Sequence, residues 1–70
     1  MKEDQETLDR FRMLLAADAR IAEAEATCKA LGLTAEAKKL GKMRAELMAQ
    51  LEPIQGKAYK ILAQAPATRQ

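Results

Sequence analysis

The chain has 70 residues, a net charge of +2, 49% apolar and 31% charged residues, one cysteine and no histidine. So short a chain forms one domain at most and removes too little surface from water to be comfortably stable alone, with no disulfide or imidazole-bound metal to supplement it. It is too apolar to be a disordered chain, which leaves association with another chain as the means of completing a small core.

Fifteen alanines and nine leucines, with no valine, serine or asparagine, favour helices over strands, and the predicted class is all-α. The opening stretch "MKEDQETLDR" is acidic where a secretory signal is basic and then apolar. No segment approaches the roughly 20 apolar residues of a membrane span. With one free thiol compatible with a reducing compartment, the expected location is the cytoplasm.

The first helix is expected over about residues 4–31. Leu14, Ala17, Ile21, Ala24, Cys28 and Leu31 recur at alternating steps of three and four, and Phe11 and Leu8 extend the stripe toward the N-terminus. The run stops in "KALGLT", Lys29 to Thr34. Gly32 suits the left-handed position that ends a helix, with Lys29 favourably placed in the last turn. Thr34 is expected to cap the next helix by accepting from the amide of Glu36 or Ala37. A turn at about 32–33 folds the chain back as an antiparallel αα-hairpin.

The second helix is expected over about residues 34–64. Leu33, Leu40, Leu47, Ile54 and Ile61 repeat every seven residues, joined by Ala37, Leu51, Ala58 and Ala65. Pro53 cannot donate to the carbonyl of Ala49; since the stripe keeps its phase there, a kink is predicted and not a break. The helix should end before Pro66, leaving a frayed tail at about 66–70. Folding about Gly32 sets Leu14 opposite Leu51, Phe11 near Ile54, and Ala24 against Gly41, where small residues would allow close backbone approach.

Residues 1 to 31 carry seven acids and five bases, and residues 33 to 70 carry three acids and seven bases. Opposite net charges favour antiparallel pairing of the arms, although solvated pairs contribute under about 1 kcal/mol each. Catalysis is not expected. Without histidine, and with a single thiol placed on the apolar stripe, there is no metal set, no activated nucleophile and no Gly-rich phosphate loop. No cofactor or small-molecule substrate is expected either.

"CKALGLTAEAKKLGKM" resembles a helix-turn-helix at its turn, but the positions that should pack the second helix hold Lys38 and Gly41. Lys38, Lys39, Lys42 and Arg44 form a basic cluster, the candidate site for an anionic partner such as nucleic acid. A net charge of only +2, two aromatic residues and no serine or asparagine weigh against that function.

More apolar residues are present than two helices can hide between them. Leu8, Leu15, Ala19, Ala22 and Ala26 form a second stripe on the first arm, and Met48, Leu51, Tyr59 and Leu62 one on the second. Two hairpins pairing into a four-helix bundle, as a homodimer, would cover it. The favoured function is a protein-binding module that inhibits or escorts a larger protein. Leu8, Phe11, Leu15, Met43, Met48, Tyr59 and Leu62 are the candidate contacts, Tyr59 and Phe11 as aromatic anchors and the methionines as adaptable surface. A self-assembling structural bundle and a small nucleic-acid-binding regulator are the alternatives. In size and architecture such a hairpin is similar to phage-encoded and mobile-element anti-activators and host-takeover inhibitors, and to the co-chaperones of type III secretion needles. Those groups imply an apolar helical face competing for a surface that another protein needs.

Overall fold

The computed structural model describes residues 2–64 and contains two helices, α1 (Lys2–Ala30) and α2 (Thr34–Gln64), packed antiparallel against each other. The expected tail at about 66–70, and Ala65 of the predicted stripe, lie outside the described residues. The helical hairpin arises as expected, from a turn at Gly32, but the details of that turn differ from the prediction.

Gly32 has φ 78°, the left-handed backbone that glycine adopts without a Cβ penalty. Around it the amide of Leu33 donates to the carbonyl of Cys28 at 2.8 Å and that of Gly32 to Lys29 at 3.1 Å. The crossed pair is a Schellman motif, and it satisfies two carbonyls that the end of α1 would otherwise leave bare. The expected Thr34 cap is not formed. The Ala37 amide donates to the Leu33 carbonyl at 3.0 Å, so Leu33 and not Thr34 stands at the cap position, and the Thr34 hydroxyl donates back to the Gly32 carbonyl at 3.4 Å.

α2 continues without a break through Pro53. Proline removes the donor that the Ala49 carbonyl needs, and both residues are exposed, so water can replace it at modest cost. Phe11, Leu51 and Ala58 form the core, with Leu8, Leu14 and Ile54 packed against it. Leu14 and Leu51, and Phe11 and Ile54, thus meet in one cluster, in the half of the hairpin away from the turn.

Nearer the turn the seam differs from the prediction. Ala24 is exposed, and a Cβ placed on Gly41 would lie 3.3 Å from Oε2 of Glu25. The glycine therefore leaves room for a carboxylate and not for a neighbouring alanine. Leu31, expected at the end of the buried stripe, is 69% exposed. The reason is rotational. The buried line of α1 passes through Phe11, Asp18 and Glu25, a heptad apart, and this turns Ala24 and Leu31 outward.

Candidate protein-binding face

Arg44 sits on the buried line of α2 with Ala37, Leu51 and Ala58, a heptad from its neighbours. Its Nε donates to Asp18 Oδ1 at 2.9 Å, its Nη2 to Asp18 Oδ2 at 3.4 Å, and its Nη1 to Glu25 Oε1 at 3.0 Å. Lys29 adds a looser contact to Glu25 Oε2 at 3.6 Å. The fork geometry of guanidinium lets one side chain serve both carboxylates of α1. Arg44 is held above its ordinary pKa, chiefly by the Asp18 hydrogen bonds. The Arg44 hydrogen bond lowers the Glu25 pKa, opposed by burial and assisted by Lys29.

This triad changes the composition of the predicted anionic-partner cluster. Arg44 is turned into the seam with its charge already paired, whereas Lys38, Lys39 and Lys42 are exposed and, among the described residues, have no ion-pair partner. Sequence reasoning missed the triad because it counted charges by arm and placed only apolar residues on the buried stripes. The signal was present in the seven-residue steps from Phe11 to Asp18 and on to Glu25, and from Ala37 to Arg44 and on to Leu51.

The candidate protein contacts divide differently. Phe11, proposed as an anchor, is buried in the core at 5% exposure and cannot present its own ring to a partner. Tyr59 packs against it edge-on, with ring centroids 5.6 Å apart and planes at 75°, yet stays 54% exposed. The Gln55 side-chain amide donates to the Tyr59 hydroxyl at 3.4 Å. Tyr59 therefore has one edge fixed by the core and the rest of its ring facing outward. Such rigid, half-exposed aromatics suit a contact surface.

Successive helical residues differ by about 100°, so each side chain can be placed relative to the buried line. Leu8, Leu15, Ala19, Ala22 and Ala26 leave that line of α1 in one rotational sense; Met48, Glu52 and Tyr59 leave that of α2 in the same sense, and Leu62 lies between them and the buried line. In antiparallel helices, equal senses emerge on one side of the hairpin. The opposite side confirms the geometry: Arg10 and Gln50, displaced the other way, are joined across it by a 3.0 Å hydrogen bond. Glu3, Glu6, Thr7, Ile54 and Lys57 share a shallow groove there with Arg10.

Both sides carry large exposed apolar residues: Met13, Leu31, Leu33 and Met43 lie on the Arg10–Gln50 side, and the side of Met48 and Tyr59, termed the apolar side for its aromatic residue, also bears Arg12, Lys38 and Glu52. Leu15, Met48, Tyr59 and Leu62 are all large and 44–54% exposed on the apolar side, beside half-buried Leu8. Met43, also a predicted contact and 46% exposed, belongs to the opposite side with Met13. No family model, curated protein or solved structure matches the chain. Among the described residues there is no cluster of potential metal ligands, and no helix is long and apolar enough to cross a membrane. Cys28 is half-buried near the end of α1.

Proposed function

We propose that the hairpin is a non-catalytic protein-binding module. Its apolar side, formed by Leu8, Leu15, Met48, Tyr59 and Leu62, docks on an amphipathic helical surface of a larger protein and thereby blocks or escorts that protein. The observation that carries this function is Tyr59, held edge-on by the core residue Phe11 yet 54% exposed, with Leu15, Met48 and Leu62 exposed on the same side. Monomeric proteins rarely leave such a patch uncovered. A helix laid into the shallow valley between α1 and α2 would bury it, with Tyr59 as the fixed anchor.

Affinity capture from the native host, with tagged wild type beside Leu15→Glu/Met48→Glu and Lys39→Glu/Lys42→Glu, tests this function. The expected result is one dominant co-purifying protein, lost with the first variant and kept with the second. Recovery of the bait alone would favour a self-assembling structural bundle. Loss with the lysine variant only would favour an anionic partner held by Lys38, Lys39 and Lys42, the nucleic-acid alternative among them.

A further inference from the structure

We infer that the occupant of the apolar side in the free protein is a second copy of the chain, related by a two-fold axis parallel to the helices, with both turns at the same end of a four-helix bundle. The inference rests on the same face as the proposed function: the second copy covers it until a target displaces that copy.

Three observations point to self-association. The first is the shortage of core. Only Phe11, Ala37, Leu51 and Ala58 are buried, and two of these are alanines, which is little for a chain with no disulfide among its described residues. The second is size. The broad side of the hairpin measures 47 by 25 Å, an outline of roughly 1,200 Å2 against the ~800 Å2 that each partner of a stable complex commonly contributes.

The third is charge, and it supplies the argument for the orientation. Arg12 lies one turn from both Leu8 and Leu15 on α1, and Glu52 one turn after Met48 on α2. Arg12 lies 20 residues before Gly32 and Glu52 20 residues after it, so about the turn these two residues stand at about the same height in the hairpin. Both are exposed, and among the described residues neither has an ion-pair partner. A two-fold axis along the helices lays α1 over α2 of the second copy at equal height. Arg12 then meets Glu52 of the second copy, twice, while Leu8 and Leu15 face the Tyr59 and Met48 region. Ala19, Ala22 and Ala26 allow the backbones to approach.

A two-fold axis across the helices would instead lay α1 on α1 and α2 on α2. That arrangement separates Arg12 from Glu52 and leaves Glu52 without a cation opposite it.

Sedimentation equilibrium of the tag-free protein tests the dimer, and distances between spin labels test its orientation. A dimer is expected at micromolar concentration; a monomer at about 100 µM overturns the inference. With Cys28→Ala and a label at Thr34→Cys, turns at one end place the labels within about 30 Å. Turns at opposite ends would separate them by about 45 Å, the length of a helix, and overturn the orientation. Arg12→Glu and Glu52→Arg should each weaken the dimer about tenfold, and the double reversal should restore it to within about threefold. A double variant as weak as either single one overturns the pairing. A monomeric free chain would leave target capture standing, whereas loss of capture with an intact dimer would count against the proposed function alone.

Discussion

Gly41→Ala sets two effects against each other whose sizes follow from the structure. A glycine in a helix interior is less stable than alanine by about 0.5–1 kcal/mol, since it loses more backbone freedom on folding. Against this, the new Cβ would sit 3.3 Å from Glu25 Oε2 and meet nothing else nearby. That oxygen is the tip of a flexible side chain and is held only by exposed Lys29 at 3.6 Å, whereas Arg44 holds the other oxygen, Oε1. A displacement of a few tenths of an ångström leaves the Arg44 contact in place. The helix preference should therefore win, and the variant is expected to gain about 0.5–1 kcal/mol. Urea unfolding followed by circular dichroism, at one fixed protein concentration because association shifts apparent stability, measures the change. Repeating it in a Glu25→Ala background removes the crowded atom and should enlarge the gain. A lower midpoint for Gly41→Ala, with no rescue in that background, would refute the idea that the glycine accommodates a carboxylate.

Gly32→Ala also meets no steric obstacle, but φ 78° is strained for any residue with a Cβ. A loss of about 1–2 kcal/mol is expected in the same assay, with Gly56→Ala, which has open space and an ordinary helical backbone, as a stabilising control of about 1 kcal/mol. Leu51→Ala empties the centre of the core, where Leu51 is 3% exposed; it should cost about 2–5 kcal/mol, read as a fall in the urea midpoint. The pH dependence has a defined sign. Because the folded state lowers the Glu25 pKa below its ordinary 4.5, the Glu25 contribution is complete above that value and is lost as pH falls through the lowered one. A Glu25→Gln variant should therefore lose less stability than wild type on acidification from neutral pH, measured by urea midpoints along a pH series.

The hairpin was legible because its determinants are local. A glycine between two alanine- and leucine-rich runs needs no tertiary information to be read as a turn, and the spacing of Leu47, Leu51, Ile54, Ala58 and Ile61 carries α2 past Pro53. Thr34 shows the limit of that approach. A threonine before Glu36 looks like a cap, but the tight turn at Gly32 hands the first helical hydrogen bond to Leu33. The charged half of the seam was not legible from apolar periodicity, which cannot see that Asp18, Glu25 and Arg44 share buried lines with Phe11 and Leu51. Arg44 was accordingly grouped with the neighbouring lysines. The apolar side was visible as surplus in the sequence, but sorting Met43 away from Met48 required knowing where the buried line of α2 runs.

The arms are fastened differently at their two ends, by Arg44 with Asp18 and Glu25 toward the turn and by Phe11, Leu51 and Ala58 toward the termini. Solvent conditions act on these fastenings in opposite ways. Added sulfate screens the partly exposed charges while strengthening apolar contacts, and cooling weakens the apolar contacts. Fraying should thus begin at whichever end the medium disfavours, so that buffer composition selects which half of the molecule loosens first.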